Sequence, residues 1–338
     1  MRQLTALQCR KYLAVSLAIL VVAILSIAPY LTSSTELVRM RNALVLMDEA
    51  GHPLDWTPDS IPPDFKLERG PIDPVFAEAS KQLGLDRMTS DWEKVLAISR
   101  HLLGHPSLIG PPIQSNLRDT YRRIISDGDG YCGDFTRVFM AFAISAGMPV
   151  RAWAFSLDGF GGHGHIWPEI WNRQLGRWQL VDIYNNFYFH KGDGIAVSAA
   201  EFRQSLLTEQ GSLRRALLFA AARPGYEFEE KMWSWYRQGL PGWYMVWGND
   251  VFGYDKVMMV HNLGRYSRSL EQLEAISKNI YPRVRLMVDE TNRDDANALF
   301  RLRTQLFLTG GAGIIASLSA LFYALRWRQT LRRIGNES

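Results

Sequence analysis

Two long runs without a charged residue limit what this chain can fold into. The first covers residues 12–31 and the second covers residues 304–325, and each reaches the roughly 20 residues that a helix needs to cross a bilayer. A cleaved signal peptide is the alternative for the first run, but its apolar stretch is longer than usual and no small-x-small cleavage site follows it. A buried core helix is the alternative for the second run, which contains several glycines, although glycine is common in membrane helices. We therefore predict two retained transmembrane helices.

Basic residues flank both runs on the side of the chain ends. They are Arg2, Arg10 and Lys11 before the first run, and Arg326, Arg328, Arg332 and Arg333 after the second. By the positive-inside rule both ends lie in the cytoplasm, so residues 32–303 face the periplasm of a bacterial inner membrane. Residues 1–31 and 304–338 each carry +3, and the total of +4 leaves −2 for the part between them. The basic balance therefore belongs to the membrane-facing ends and does not indicate nucleic-acid binding.

The two cysteines of the chain, Cys9 and Cys132, lie in different settings. Cys9 precedes the first apolar run, whereas a lipoprotein cysteine follows one. We interpret Cys9 as a bystander, with acylation as the weaker alternative. Cys132 lies in the oxidising compartment without a second cysteine to form a disulfide. An unpaired thiol there is a liability unless it is buried or used in chemistry.

Cys132 stands at the start of the clearest helix in the sequence. The apolar stripe of this helix is formed by Phe135, Val138, Phe139, Phe142 and Ala146. This spacing places the stripe on one buried face, and Gly147 and Pro149 end the helix. A helix N-terminus favours a negative charge, so it favours the thiolate, which is the nucleophilic form of cysteine. The backbone N–H groups there are also suited to holding an oxyanion.

A hairpin further along the chain brings a histidine near a carboxylate. His165 opens the strand at 165–171, and Asp182 lies near the end of the strand at 177–184. With a turn centred near residues 173–174, His165 and Asp182 face each other, and a slip of one or two residues leaves them diagonal neighbours. Asp182 would then hold one imidazole nitrogen while the other faces Cys132, the arrangement that acyl transfer requires. Pro168 predicts an edge position or a bulge for the first of these strands.

Four short motifs occur in a fixed order around these residues. They are Gly-Tyr-Cys-Gly-Asp at 130–134, Gly-Met-Pro-Val-Arg at 147–151, His-Ile-Trp-Pro-Glu at 165–169 and Trp-Gln-Leu-Val-Asp at 178–182. In order and spacing they resemble the transglutaminase-like superfamily of papain-like fold, over about residues 90–205. The resemblance implies that Cys132 is the nucleophile, His165 the general base and acid, and Asp182 the residue that orients His165.

The chain departs from the family pattern at two points. Asp182 is followed by Ile-Tyr-Asn-Asn at 183–186 in place of the commoner Pro-Thr, which predicts a different local turn. No residue maps onto the side chain that donates to the oxyanion, and Trp92 and Tyr131 are only loose candidates for it.

Several alternatives compete with these assignments. The simplest alternative is that Cys132 is a buried structural cysteine. His163 competes with His165, but its glycine neighbours favour a loop. The residues Trp167, Glu169 and Trp171 share the face of His165 and line or brace the cleft, although core packing explains the tryptophans equally well. Ten aromatic residues at 225–254 indicate either a core, a membrane-apposed surface or a stacking platform for a sugar.

Metal or cofactor binding has little support in the sequence. His101 and His105 have the spacing of a metal-binding pair, but a helix end lies between them and no third ligand is apparent. No phosphate-binding loop or calcium-binding motif is recognisable. We therefore expect no cofactor and no metal.

The rest of the chain predicts further short elements. We expect helices at 35–49, 90–104, 115–125, 198–208 and 212–222, a proline-rich irregular segment at 53–74, a strand at 150–155, a glycine-rich loop at 156–164, a hairpin turning at 192–194, and a helix, a strand and a helix between 265 and 303. Ser90 and Glu93 match a capping box for the second of these helices.

The predicted architecture is an α+β domain between two membrane helices, with the cysteine-bearing helix packed on an antiparallel sheet that bears His165 and Asp182. The predicted organisation is a cytoplasmic N-terminus at 1–11, a transmembrane helix at 12–31, a lead-in segment at 32–89, the transglutaminase-like core at 90–205, an aromatic and helical extension at 206–303, a second transmembrane helix at 304–325 and a cytoplasmic tail at 326–338.

The predicted function is cysteine-dependent transfer or hydrolysis of an amide through a thioester on Cys132. The expected partners are the membrane and a protein or peptide amide, with a cell-envelope polymer as another candidate. The alternative function is a catalytically idle scaffold for envelope polysaccharide or cell-wall assembly. The triad serves water and amine acceptors equally, so the residues do not choose between hydrolysis and transamidation.

The topology is testable with reporter fusions. A fluorescent protein that matures only in the cytoplasm, fused after Ser338, is expected to fluoresce because both ends lie on that side. Alkaline phosphatase fused within the domain is expected to be active, because that enzyme requires an oxidising compartment. A C-terminal phosphatase fusion with full activity would contradict the two-span arrangement.

Overall fold

The computed structural model describes residues 5–47, 53–104, 113, 115–208, 213–222, 224–255 and 268–337. The helices are α1 Ala6–Ile27, α2 Ser34–Leu44, α3 Pro74–Gln82, α4 Asp91–Leu103, α5 Leu117–Asp127, α6 Cys132–Ser145, α7 Ala199–Thr208, α8 Glu229–Gln238, α9 Val251–Asp255, α10 Arg268–Ser277 and α11 Arg293–Glu337. The strands are β1 Val150–Ser156, β2 Gly164–Asn172, β3 Arg177–Leu180, β4 Phe187–His190, β5 Arg214–Leu217, β6 Trp243–Trp247 and β7 Arg283–Leu286. The predicted α+β class is therefore confirmed.

The strands form one antiparallel sheet and one separate pair. The order in the larger sheet is β3-β2-β1-β6-β7, and β4 pairs with β5. All of the neighbouring strands are antiparallel. The larger sheet thus has β1, the strand that follows α6, at its centre.

Different helices cover the two faces of the larger sheet. Ala152 and Ile170 point to the face where α6 packs, in a core of aliphatic and phenylalanine side chains that α3, α4 and α5 complete. Trp153 and Trp167 point to the opposite face, because neighbouring residues of a strand alternate between faces. That face is buried under a tryptophan-rich core to which α7 and α8 contribute.

A third core joins one edge of the sheet to α2 and α11. Phe160, in the glycine-rich loop between β1 and β2, is fully buried there, and Asn42 Nδ2 donates to its carbonyl oxygen at 2.8 Å. Val284 of β7 and Leu299 of α11 belong to the same core. This core therefore fastens the glycine-rich loop and the base of α11 to the domain.

The two long apolar helices α1 and α11 run side by side in opposite directions. Tyr12 stacks on Tyr323 with ring centroids 5.0 Å apart, near one end of the pair. At the other end Gln305 Nε2 donates to the carbonyl oxygen of Ser26 at 3.2 Å. The helices therefore form an antiparallel pair, in which the C-terminal end of α1 and the N-terminal end of α11 both lead into the domain.

Both of these helices are long and apolar enough to cross a membrane, over Ala6–Leu31 and Arg293–Arg332. Most of their large apolar side chains are exposed, as at Val22 and Leu308. A core helix would bury such side chains, so the core-helix interpretation of the second apolar run is wrong.

The predicted helix at 212–222 is wrong in the part that the structure describes. Residues Arg214–Leu217 form β5, which pairs with β4 from Phe187↔Leu217 to His190↔Arg214. The alanine- and leucine-containing sequence has a helical preference, but pairing with β4 outweighs it. The predicted turn at 192–194 is confirmed by the antiparallel bridge between His190 and Ala196.

The predicted edge position of Pro168 is also wrong, because β2 lies between β1 and β3. Val181 N donates to the carbonyl oxygen of Pro168 at 3.0 Å, so the ring nitrogen of Pro168 also faces the β3 side. The strand β3 ends at Leu180, directly before that position. An interior strand therefore accommodates proline because the neighbouring ladder stops there.

Two residues of the four sequence motifs, one on β1 and one on β2, form a buried ion pair. Arg151 Nε donates to Glu169 Oε2 at 2.6 Å, and both side chains are almost fully buried. Glu169 also accepts from Trp153 Nε1 at 2.8 Å and from the backbone N–H of Ala199 at 2.7 Å. The guanidinium lies 3.9 Å from the ring centroid of Trp178. These contacts tie β1, β2 and α7 together, so Glu169 braces the sheet and does not line the cleft.

Removal of this buried arginine is expected to destabilise the fold strongly. Arg151→Gln should lower the free energy of unfolding by about 3–5 kcal/mol, because it leaves Glu169 buried without its charge partner. The matched control is Arg122→Gln, which removes an exposed pair with Asp119 and should cost less than about 1 kcal/mol. Denaturant unfolding of the full chain in micelles, followed by tryptophan fluorescence, measures both. Equal losses in the two variants would contradict this prediction.

Candidate active site

The backbone before α6 is fixed so that Cys132 becomes its first residue. Gly130 has φ +117°, a conformation that side-chain-bearing residues rarely adopt. Asp134 Oδ2 then accepts from the backbone N–H of Tyr131 at 2.9 Å and from that of Ile113 at 3.1 Å. The glycine and the aspartate of the first motif therefore shape the start of the helix, and Cys132 remains partly exposed there.

The first turn of α6 lies against the start of β2. Thr136 Oγ1 donates to the carbonyl oxygen of Ile166 at 3.1 Å. A Cβ atom built on Gly133 would lie 3.8 Å from Cγ2 of the same isoleucine. His165 precedes Ile166, so this contact brings Cys132 close to the imidazole, near enough for its sulfur to raise the pKa of His165.

His165 and Asp182 are in direct contact. His165 Nε2 lies 2.9 Å from Asp182 Oδ1, and both side chains are buried. The strands pair with Glu169 opposite Leu180, two residues away from the predicted register. Asp182 is therefore a diagonal neighbour of His165, beyond the end of β3. Because Nε2 faces the carboxylate, Nδ1 is the ring nitrogen left for the sulfur of Cys132.

The carboxylate of Asp182 is held by more than the imidazole. Asn185 donates twice, from its backbone N–H to Oδ1 at 3.2 Å and from Nδ2 to Oδ2 at 2.9 Å. Tyr236 of α8 donates its hydroxyl to Oδ2. Burial by itself raises the pKa of Asp182, but the charge of His165 and the hydrogen bonds from His165, Tyr236 and Asn185 outweigh it and lower that pKa. Asp182 is therefore an ionised carboxylate inside the protein.

This carboxylate in turn controls the charge of the imidazole. Burial disfavours the imidazolium, but the charge and hydrogen bond of Asp182, together with the contact to Cys132, raise the pKa of His165 to about 10. At neutral pH the ring therefore carries a proton on each nitrogen. An imidazolium beside a thiol stabilises the thiolate, so the arrangement is suited to nucleophilic chemistry.

Aromatic rings enclose the imidazole. Trp167 meets it edge to face at 5.0 Å, Trp235 of α8 lies at 5.1 Å, and Tyr184 lies at 6.2 Å. Tyr226 continues this wall, with its ring 5.4 Å from that of Trp235. Burial, and then the proximity of Cys132, raise the pKa of Tyr184. The imidazole beside the sulfur therefore lies in largely aromatic surroundings.

Asn185 and Tyr236 were missed by the sequence analysis. Asn185 lies in the Ile-Tyr-Asn-Asn stretch, so the departure from the family pattern supplies a donor to Asp182. Its position three residues after Asp182 was a local signal that the amide of Asn185 and the carboxylate of Asp182 could meet. Tyr236 lies in the aromatic stretch at 225–254, and only the tertiary fold shows which of those aromatics reaches the site.

The competing residues take other positions. His163 is exposed, and its carbonyl oxygen accepts from Leu157 N at 2.7 Å, so its predicted loop position is confirmed. His101 Nε2 bonds the hydroxyl of Tyr121 at 2.8 Å, whereas His105 lies outside the described residues. Within the described ranges, no group of three or more His, Cys, Asp and Glu side chains is arranged to hold a metal ion.

Neither loose candidate for the oxyanion donor is aimed at the site by the contacts described. Trp92 packs edge to face on Tyr188 at 5.1 Å, and Tyr131 is 45% exposed with its backbone N–H bonded to Asp134. The first N–H groups of a helix have no intrahelical acceptor. Those of Cys132 and Gly133 occupy that position here, next to the sulfur.

The aromatic stretch at 225–254 is mainly core. Trp243, Trp247 and Tyr236 are fully buried, whereas Phe228 is exposed. A stacking platform needs open ring faces, so these buried rings do not form one. Trp235 and Tyr226 are partly buried beside His165 and belong to the cleft.

Residues 81–183 match the family model of the transglutaminase-like superfamily. Such domains usually carry out cysteine-based acyl transfer or hydrolysis. No curated protein and no solved structure matches the chain. The matched range contains Cys132, His165 and Asp182, whereas Asn185 and Tyr236 lie beyond it.

Tyr236 is expected to position the Asp182–His165 pair. Tyr236→Phe removes one donor to the carboxylate and should slow alkylation of Cys132 by iodoacetamide at pH 6 by about threefold to tenfold, the effect of one hydrogen bond to a charged group. Tyr121→Phe is the matched control, because it removes a buried hydroxyl bonded to His101. Alkylation kinetics followed by mass spectrometry measure the effect. An unchanged rate in Tyr236→Phe, or equal slowing in the control, would refute this role.

The raised pKa of His165 predicts a stability difference that depends on pH. The folded value of about 10 exceeds the ordinary 6.5, so the stability gained from the imidazolium is fully present below pH 6.5 and is lost as pH rises towards 10. The Tm difference between the wild type and His165→Asn should therefore shrink between pH 6.5 and 10. Thermal unfolding followed by tryptophan fluorescence measures it. A difference that stays constant over this range would show that the imidazole is neutral in the fold.

Proposed function

We propose that this chain, which contains a transglutaminase-like superfamily domain at residues 81–183, is a membrane-anchored cysteine enzyme acting on amides. The observation that carries the proposal is the contact of the imidazole of His165 with Asp182 on one side and with Cys132 on the other. Superfamily membership alone gives only the reaction class. The contacts support named roles for the three residues.

The first half-reaction forms a thioester. The thiolate of Cys132 attacks the amide carbonyl carbon, and the N–H groups of Cys132 and Gly133 stabilise the oxyanion. The C–N bond then breaks while the imidazolium of His165 gives its proton to the leaving amine. Asp182 stays ionised and keeps the ring in the orientation that this transfer needs.

The second half-reaction resolves the thioester. The imidazole of His165, now neutral, takes a proton from water or from an amine as either attacks the thioester carbon. The C–S bond breaks, and the thiolate and the imidazolium are regenerated. Water as the acceptor gives a peptidase or amidase, whereas an amine gives a transglutaminase.

The membrane placement belongs to the same proposal. The antiparallel packing of α1 and α11 supports both chain ends lying on one side of a bilayer. The basic residues at those ends favour the cytoplasm for that side, with the domain in the periplasm. A protein or peptide amide of the cell envelope is the substrate that this location favours.

Product analysis tests the activity directly. The full chain in detergent is incubated with casein and a dansylated primary amine, and both amine incorporation and release of ammonia or new amino termini are measured. Cys132→Ser is expected to abolish both signals, and His165→Asn to lower them by at least about a hundredfold, the low end of general acid–base catalysis. Cys9→Ser is the matched control and should retain full activity.

A reactivity measurement separates an idle scaffold from an enzyme that rejects casein. In the proposed enzyme, Cys132 is alkylated by iodoacetamide at pH 6, and His165→Asn slows this reaction at least about tenfold, because the thiolate loses its counter-charge. Equal rates in the wild type and His165→Asn would refute the proposal and favour the scaffold.

A further inference from the structure

Tyr184 contacts both structural elements that meet at the site. The centroid of its ring lies 6.2 Å from that of the His165 imidazole and 5.8 Å from that of the Phe135 ring. Phe135 follows Cys132 by three residues on α6, so the two side chains lie on the same side of that helix. Tyr184 therefore packs on the helix that carries the sulfur and on the residue that carries the imidazole.

The hydroxyl of Tyr184 has no partner among the residues that the structure describes. It makes no hydrogen bond to any of them, and it is open to solvent on a half-buried side chain. Tyr236 differs, because its hydroxyl donates to Asp182. Burial, and then the charge of Cys132, raise the pKa of Tyr184, so its hydroxyl is neutral at physiological pH. A neutral phenol accepts one hydrogen bond and donates another.

The position of Tyr184 beside the imidazole determines which part of a substrate its hydroxyl meets. In the proposed reaction the N–H groups at the start of α6 hold the oxyanion, whereas His165 exchanges a proton with the amine. A group that packs on the imidazole therefore lies on the amine side of the site. A primary amine has two N–H groups, and when one of them faces the imidazole the other needs a separate acceptor.

Two further partly exposed rings adjoin the imidazole on this side. The ring of Trp235 lies 5.1 Å from that of His165, and the ring of Tyr226 lies 5.4 Å from that of Trp235. Burial, and then the charges of Asp182 and Tyr184, raise the pKa of Tyr226 to about 12, which agrees with the proximity of the two tyrosines. Aromatic surface next to a hydrogen-bond acceptor suits the alkyl chain of an amine.

We infer that Tyr184 is a specificity-determining residue for the acceptor: its hydroxyl oxygen accepts a hydrogen bond from the attacking primary amine, and its ring packs against the alkyl chain of that amine together with Trp235 and Tyr226. The amine nitrogen bonds to the thioester carbon, the C–S bond breaks to release the thiolate of Cys132, and His165 takes the proton that the amine loses. The inference rests on the proposed function, and it predicts that primary alkylamines compete with water for the thioester.

The division of one acyl-enzyme between two acceptors tests the inference. The full chain in detergent is acetylated by p-nitrophenyl acetate, and mass spectrometry locates the acetyl group on Cys132. Decay of the acetyl-enzyme is then followed with and without butylamine, and acetylbutylamine is measured as the product. Aminolysis and hydrolysis thus start from the same thioester, so their ratio does not depend on how fast that thioester forms.

Removal of the hydroxyl is expected to change this ratio. Tyr184→Phe should lower aminolysis relative to hydrolysis by about threefold to tenfold, as expected for the loss of one hydrogen bond. Tyr188→Phe is the matched control, because Tyr188 is also half-buried but packs on Trp92 and contacts neither Phe135 nor His165. The control should keep the wild-type ratio. An unchanged ratio in Tyr184→Phe, or an equal fall in both variants, would overturn the inference.

A measurement on the wild type tests the rings without any substitution. Butylamine and methylamine have nearly equal basicity and differ in the length of the alkyl chain. The wild-type acetyl-enzyme should react with butylamine at least about fourfold faster, the effect of burying about one methylene group. Equal rates with the two amines would contradict packing of the chain on the rings and overturn the inference.

The same measurements distinguish failure of this inference from failure of the proposed function. If Cys132 is not acetylated, or if His165→Asn is acetylated as fast as the wild type, the proposed function fails and the inference fails with it. If acetylation of Cys132 depends on His165 but Tyr184→Phe keeps the wild-type ratio, or the two amines react equally, only the inference fails.

Discussion

The arrangement of the site depends on one ionised carboxylate buried inside the protein. An uncompensated buried charge costs several kcal/mol, so Asp182 is tolerable only because Asn185, Tyr236 and His165 all donate to it. These donors come from different parts of the chain: the turn after β3, α8 and β2. The carboxylate therefore connects residues 81–183, which match the family model, to α8. It also keeps the imidazole charged, which a neutral environment of aromatic rings would not do.

The four sequence motifs have separate physical tasks in this fold. Asp134 shapes the start of α6, and Arg151 and Glu169 form the buried pair that ties two strands to α7. Cys132, His165 and Asp182 meet at the site, where Trp167 packs on the imidazole. A motif residue can thus act away from the reacting groups, by holding the strands at the separation that the histidine and the carboxylate need.

The sequence was sufficient for the parts of the fold that local patterns determine. The helix beginning at Cys132, the hairpin that carries His165 and the two apolar helices each have a strong periodic or compositional signal. The strand β5 was predicted as a helix because its residues favour a helix locally, and only its partner β4 makes it a strand. The predicted register between β2 and β3 differed from the observed one by two residues, because loop length alone does not fix where a hairpin turns. Tyr236 could not be assigned because its contact with Asp182 spans 54 positions of sequence.

The antiparallel hairpin of α1 and α11 has a mechanical consequence. Both helices enter the same edge of the domain, through α2 and the third core. A domain attached to a membrane by one helix can rotate and tilt freely. A domain attached by two adjacent helices is instead held at a nearly constant height and tilt. In a bilayer the domain, and Cys132 with it, would then stay within a thin layer parallel to the lipid surface. The distance of a substrate from the membrane, as much as its chemical complementarity to the site, would then decide whether it reaches the sulfur of Cys132.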